Sequence, residues 1–417
     1  MTWQERSFSR MGAQLTGSAI RQMGILAAGR PDLISFAPGY PDPATFAWQA
    51  YRDIADDLLR DGHEDTLQYG QTRGYGPLIE AVVPRLRAQG ITCASDEILL
   101  TTGSQQAVDL VTRLFVDPGD VVLVELPTFT GAIAAFRSAG ARLVGVRQEP
   151  DGLDLAHLDA MLAAERAAGH RVKFLYVIPN FQNPTGGILS VAKRQALLVW
   201  SARERVLIVE DDPYGDLWFP DVTRPEETRP IKADDGDGRV IYLQSTSKTL
   251  APTFRTAWVV APLAVVARLD VAKQSADLCS SSFDQRIVHQ AIVRGVLDRQ
   301  LPLLRETYAR KRDVMSRALS AQCADLAHWT PPRGGFFLWV VLPEGIDTRA
   351  LLRAAIDAQV IYVAGAPFFV DGSGANALRL AFSAATASRI EEGIGRLAGV
   401  VRAAVGASAP PVPQAGR

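Results

Sequence analysis

Arg239-Val-Ile-Tyr-Leu-Gln244 is a short apolar run followed at once by Ser245-Thr246-Ser247-Lys248, with a second cation, Arg255, seven residues further on. Apolar without alternation, such a run has the pattern of a strand buried on both faces. Comparable runs lie at 97–102, 121–125, 142–146, 173–178, 206–210 and 256–260, with helical patterns such as 191–205 and 263–278 between them. Strand and helix in alternation predict an α/β fold whose large domain holds a mostly parallel, seven-stranded sheet covered by helices. The motifs taken up below fall at or just after the C-terminal ends of these strands, where open α/β sheets place their ligands.

A lysine that is to attack a carbonyl needs a desolvated site that lowers its ammonium pKa, and hydroxyls beside a guanidinium suit a bound phosphate. Pyridoxal 5′-phosphate asks for both. Three further segments suit other atoms of that cofactor. In Pro179-Asn-Phe-Gln-Asn183-Pro184-Thr185-Gly186, after the run 173–178, Asn183 offers an amide to the phenolic oxygen O3′. The run 206–210 ends in Asp211-Asp212-Pro213-Tyr214, where a carboxylate suits a protonated pyridine nitrogen and Tyr214 can share O3′. Asp211 and Asp212 are adjacent, and the three-residue spacing to Tyr214 favours Asp211 for that role. The run 97–102 leads into Gly103-Ser104-Gln105-Gln106 and a helical pattern to about Phe115, so that the free N–H groups of a helix N-terminus face a phosphate.

In joint order and spacing these segments resemble the fold-type I aminotransferases, specifically the class I/II group that includes 2-aminoadipate, kynurenine and aromatic aminotransferases. The likeness runs from Leu33-Ile-Ser-Phe-Ala-Pro-Gly39-Tyr-Pro-Asp42 to Asn376-Ala-Leu-Arg379-Leu-Ala-Phe-Ser383, nearly the whole chain. It implies a fold-type I PLP-dependent transferase with Lys248 as the Schiff-base lysine and Asp211 as the partner of the pyridine nitrogen. Tyr214 and Asn183 would bind O3′, and Gly103, Ser104, Gln105, Ser245, Ser247 and Arg255 would hold the phosphate. Phe129 stands where relatives carry a ring-stacking tyrosine, keeping the face and losing the hydroxyl. Tyr69, in Leu67-Gln-Tyr-Gly70, matches the tyrosine that reaches the neighbouring subunit's phosphate, which implies a homodimer with shared active sites. Arg379 matches the arginine for the substrate α-carboxylate, with Asn183 and Gly39 beside it. Arg21, in Leu15-Thr-Gly-Ser-Ala-Ile-Arg21, falls in the segment that covers the substrate side chain, which makes it a candidate to bind a distal substrate carboxylate.

Plainer readings stand beside these. Asn-Pro-Thr-Gly is also an ordinary turn, Phe129 also reads as core, and Arg21 equally as a solvated helix arginine. Arg379 lies in an apolar run, where an unpaired charge is costly, so it needs an anionic partner, either substrate or an internal carboxylate. The chain departs from the family pattern at Arg255-Thr-Ala257-Trp258, where a glycine usually precedes the aromatic.

With 417 residues, 47% hydrophobic and 21% charged, the chain exceeds a single core. The expected division is an N-terminal segment at 1–45 packing with the small domain, a large cofactor-binding domain at 46–290, a small α+β domain at 291–405 reached through a long helical connection from about 284 to 319, and a disordered proline-rich tail at 406–417. A net charge of −1 without a basic run argues against nucleic acid and anionic membrane as partners. Cys93, Cys279 and Cys323 are widely spaced and lie outside the motifs, which fits a reducing cytoplasm and neither a disulfide framework nor a metal site.

The expected activity is amino-group exchange between an L-amino acid and a 2-oxo acid, with 2-oxoglutarate as the expected acceptor and ping-pong kinetics. A PLP-dependent lyase, decarboxylase or cyclising enzyme of the same fold shares the cofactor motifs. So does the effector domain of some transcription regulators, which would need a DNA-binding domain ahead of residue 15.

Overall fold

The computed structural model describes residues 2–408 apart from 15–16, 18–22, 27, 31, 61, 63 and 223–224. Strands are numbered in chain order: β1 Ile34–Ser35, β2 Ile98–Thr102, β3 Val121–Leu126, β4 Arg142–Glu149, β5 Gly152–Leu153, β6 Val172–Val177, β7 Leu207–Asp211, β8 Val240–Ser245, β9 Thr256–Val260, β10 His328–Trp329, β11 Phe337–Val341, β12 Val360–Ile361, β13 Val363–Ala364 and β14 Ala377–Ala381.

The large sheet has the order β2-β9-β8-β7-β6-β3-β4-β5. Pairing is parallel from β8 through β7, β6 and β3 to β4; β9 is antiparallel to both β2 and β8. The seven expected strands are therefore all present, and the two-residue β5 adds an eighth by folding back on β4. Alternation along each strand sorts the core into two layers. Val122, Val124, Phe174, Tyr176, Val209 and Leu243 pack with Val108, Val111 and Phe136. Val121, Leu123, Leu175, Val177, Ile208 and Val240 pack on the other side with Leu158, Leu197 and Trp200. Each such fully buried side chain contributes about 1.5–3 kcal/mol of transfer free energy.

The second sheet is antiparallel, in the order β10-β11-β14-β13. β1 pairs in parallel with β12, which ties residues 34–35 to the C-terminal third of the chain. The connection between the sheets differs from the single long helical stretch expected from the sequence. Helix Ser282–Val293 ends before Gly295, whose φ of 67° is left-handed, and helix Val296–Cys323 begins anew. A left-handed residue cannot continue an α-helix, so the chain turns there. At the C-terminus helix Ala387–Ser408 runs into the segment expected to be a tail, and residues 409–417 lie outside the described ones.

Candidate active site

Lys248 follows the end of β8 by three residues. Its Nζ donates to the carbonyl of Gly39 at 2.9 Å and lies 5.9 Å from the Tyr214 ring centre and 5.7 Å from that of Phe336. Burial, helped by the like charges of Arg379 and Arg255, lowers its pKa to about 8. A lysine in this state is about one-tenth neutral at pH 7, against less than a thousandth for an ordinary lysine, and the neutral amine is what nucleophilic attack requires. Gly39 is confined by Phe337, since any Cβ there would collide with that ring.

At the end of β7, strand alternation separates two adjacent carboxylates. Asp211 shares the face of Tyr176, whose phenol donates to Asp211 Oδ2 at 2.6 Å. Asp211 Oδ1 is buried and has no hydrogen-bond partner among the described residues. Desolvation pushes this carboxyl up to about 6, against the Tyr176 bond. Asp212 points the other way, accepting from Asn180 Nδ2 at 3.1 Å and Tyr242 Oη at 3.2 Å. Its oxygens are used by the fold; those of Asp211 are half used. Tyr214 is buried edge-on between Phe336 and Phe337, with ring centres 5.6 and 5.7 Å away.

A polar cradle forms where β2 and β8 end. Gly103, with φ 76°, caps helix Ser104–Phe115 without a side-chain cap, leaving backbone donors at its N-terminus. The Arg255 guanidinium lies so close over Gly103 that a side chain there would collide with it, and it donates to Thr102 O at 3.3 Å. Ser245 Oγ donates to Ser247 Oγ at 2.9 Å. Gln105 Nε2 donates to Gly131 O at 2.9 Å, and the same glycine abuts the Phe129 ring. Backbone donors at a helix N-terminus, two hydroxyls and a guanidinium make an anion site.

Arg379, in the middle of β14, is 1% exposed. Its Nη1 donates to Asn183 Oδ1 at 2.7 Å and its Nη2 to Ala37 O at 2.6 Å, while Nε has no partner among the described residues. The guanidinium stands over the rings of Phe337 at 4.1 Å and Phe368 at 5.2 Å. Among the described residues no carboxylate pairs with it, and burial brings its pKa down to about 10. A fully buried cation held by neutral acceptors and ring faces suits an anionic ligand.

Lys248, Asp211, Tyr214, Asn183, Arg379 and Gly39 thus converge between the two sheets, with Gly103, Ser104, Gln105, Phe129, Ser245, Ser247 and Arg255 along one side. Tyr69 is not among them: it is 78% exposed on its own chain. Arg21 lies outside the described residues. Sequence reasoning passed over Tyr176, although a phenol in the middle of a buried parallel strand must find a partner. It also passed over Glu125, buried on β3 and pushed up to about 8 by desolvation, and Gln182, which bonds to it at 3.3 Å.

The donor set fits pyridoxal 5′-phosphate. The orphaned Asp211 Oδ1 matches a ring N–H, the Gly103 cradle matches the phosphate, and Lys248 matches the aldehyde. An α/β sheet carrying that set defines a fold-type I PLP-dependent transferase. The model of the family aminotransferase class I and II matches residues 34–397. The chain is 38% identical over 399 residues to aromatic-amino-acid aminotransferase 1 of Thermococcus litoralis, covering 95% of this chain and 94% of that protein. It is 38% identical over 397 residues to the 2-aminoadipate transaminase of Thermus thermophilus, with 95% and 96% covered. The crystal structure of Pyrococcus horikoshii kynurenine aminotransferase superposes with a TM-score of 0.91 at 37% identity, over 97% of this chain and 98% of that one. The chain belongs to the class I and II aminotransferases, and its activity is that of a pyridoxal 5′-phosphate-dependent aminotransferase. Among the described residues no helix is long and apolar enough to cross a membrane.

Proposed function

We propose that this enzyme moves the amino group of an L-amino acid to 2-oxoglutarate by a ping-pong cycle in which Lys248 is the covalent and proton-transferring residue. The observation that carries the assignment is the buried, unpartnered Oδ1 of Asp211, which gives the cofactor's pyridine N–H an acceptor. Bound pyridoxal phosphate supplies an aldehyde that takes up the amino group and a ring that accepts the electrons of the broken Cα–H bond. Arg379 holds the substrate α-carboxylate, with Asn183 and Gly39 beside it. Lys248, as a neutral amine, would take the proton from the substrate α-carbon and deliver it to the carbon that carried the cofactor's aldehyde, and would move it the other way when the 2-oxo acid is aminated. Asp211 keeps the ring nitrogen charged, Tyr214 and Asn183 hold O3′, and Phe129 covers the ring face. Gly103, Ser104, Gln105, Ser245, Ser247 and Arg255 hold the phosphate, joined by Tyr69 of a second copy in a homodimer. The large domain spans 46–290 and the small domain 291–405, with the N-terminal segment of 1–45, in its described residues from Leu33 on, packed on the latter. The three free cysteines suit a reducing cytoplasm.

The named relatives support an aromatic or long-chain dicarboxylic amino donor. A panel of L-amino acids incubated with 2-oxoglutarate, with glutamate, pyruvate and ammonia all measured, tests this reading. Stoichiometric glutamate is expected. Pyruvate or ammonia without glutamate would replace transamination by a lyase reaction.

A further inference from the structure

Gln182 precedes Asn183 in the turn after β6 and is 2% exposed. All four hydrogen-bonding positions of its side chain are taken. Nε2 donates to Pro127 O at 2.7 Å and to Glu125 Oε2 at 3.3 Å. Oε1 accepts from the backbone N–H of Thr185 at 2.9 Å and from its hydroxyl at 2.8 Å. The backbone joins in, with Gln182 N–H donating to Gly187 O at 2.8 Å and Gly186 N–H to Gln182 O at 2.6 Å. One half of the amide therefore faces the turn that carries Asn183, and the other half faces the end of β3 and the loop that leads to Phe129. Thr128 in that loop is fastened by its N–H to Phe368 O at 2.9 Å.

β3 and β6 are neighbours in the sheet, but the segments leaving them have separate courses. Backbone pairing ends with the strands, so a side chain must fix the spacing of the two segments beyond that point. An amide is suited to this position, because it donates to two acceptors and accepts from two donors at once, which neither a carboxylate nor an apolar chain can do. A carboxylate here would stand against the buried Glu125.

We propose that Gln182 is a positioning residue that sets the gap between the Asn183 amide and the Phe129 ring, so that the cofactor ring is held at its edge and on its face in one fixed geometry. The inference rests on the roles given above to Asn183 and Phe129. Replacing Gln182 by methionine keeps length and burial but removes the acceptor of the Thr185 N–H and the amide link to β3, while Pro127 O keeps Gln148 Nε2 at 3.1 Å and Glu125 Oε2 keeps the Ile178 N–H at 2.9 Å.

The test compares wild type, Gln182→Met, Asn183→Ala and Phe129→Ala. It measures pyridoxal phosphate affinity of the apoprotein by fluorescence quenching, the visible circular dichroism of the bound cofactor, and thermal unfolding of the apoprotein. Gln182→Met is expected to weaken cofactor binding about tenfold or more and to diminish the visible dichroism, which reports how asymmetrically the ring is held. A merely structural lesion would lower the unfolding temperature and leave the dichroism of bound cofactor as in wild type; that result overturns the proposal. If Asn183→Ala and Phe129→Ala themselves change neither affinity nor dichroism, the roles of those residues fall, and the inference with them. If they change both while Gln182→Met changes neither, only the inference falls. Should Gln182→Met not fold, Thr185→Val, which removes one partner of the amide, decides: a smaller loss in the same direction supports the proposal and an unchanged dichroism sinks it.

Discussion

The Arg379 guanidinium donates to Asn183 Oδ1 at 2.7 Å, joining the middle of β14 to the turn after β6. Arginine has only donors, so the amide oxygen of Asn183 must face it and the amide nitrogen must face away. Arg379 thus occupies the acceptor end of Asn183 and turns its donor end toward the contact with O3′ proposed above. Asn183→Asp converts this contact into a buried ion pair that competes with the substrate carboxylate for the guanidinium. KM for the amino acid should rise about 10–100-fold, the worth of a hydrogen bond to a charged group. Steady-state kinetics with an unchanged KM would remove Arg379 from the carboxylate site.

Asp211 and Asp212 have opposite surroundings, and their asparagine variants should separate. Asp211→Asn cannot hold a positively charged ring nitrogen and should lower kcat/KM by about 10²-fold or more. Asp212→Asn disturbs bonds to Asn180 and Tyr242 and should cost stability more than activity. In the apoprotein the Asp211 carboxyl is raised from 3.8 to about 6, so the folded state binds the extra proton and its stability falls as pH rises through that window. At pH 7 apo Asp211→Asn should therefore melt above wild type, which calorimetry with and without cofactor checks. The reverse ranking of activities would give Asp212 the ring nitrogen.

Lys248 titrates near 8 in the fold against 10.5 for an ordinary lysine. Only the neutral amine attacks an aldehyde, so cofactor capture by the apoprotein should speed up about tenfold per pH unit below 8 and level off above it. The unfolded chain binds the extra proton between 8 and 10.5, so apoprotein stability gains over that interval and the cost of the buried charge is full below 8. Lys248→Met should abolish transamination and raise the apoprotein unfolding temperature at pH 7. Turnover that survives this change would mean that another amine does the chemistry.

The seven long strands are legible in the sequence because most are apolar runs closed by turn residues, a pattern that burial on both faces imposes; Lys173 interrupts β6, and of β4 only Val146 is buried. The residues that converge at Lys248 are legible for a related reason: they follow directly on strand ends, where topology gathers them. The break at Gly295 is not, since one glycine in a helical pattern costs only about 1 kcal/mol and its left-handed φ shows only in three dimensions. Nor are the pairings of Tyr176 with Asp211 or Gln182 with Glu125, which join residues 35 and 57 positions apart that only strand register brings together. β5, β10, β12 and β13 have two residues each and carry no period to read.

Tyr69 is the residue whose proposed role requires a second chain. At 78% exposed it leaves a large aromatic side chain uncovered, and its neighbour Leu67 is 77% exposed. Gly70 rests against Ser282, so the loop is supported from its own subunit and presents Tyr69 outward. If Tyr69 reaches a partner's phosphate, both active sites of a two-fold dimer are composite, and each subunit completes the other. Lys248→Ala disables its own site, and Tyr69→Ala should weaken cofactor binding in its partner's. In a mixed dimer one site then carries both lesions and the other neither. Subunit exchange between equal amounts of the two variants yields half mixed dimers, each with one intact site, so about a quarter of wild-type activity should return. Sedimentation should show a dimer throughout. No recovery after exchange proven by mixed-tag capture, or a Tyr69→Ala protein that holds its cofactor as tightly as wild type, would leave Tyr69 a surface residue and each active site the property of one chain.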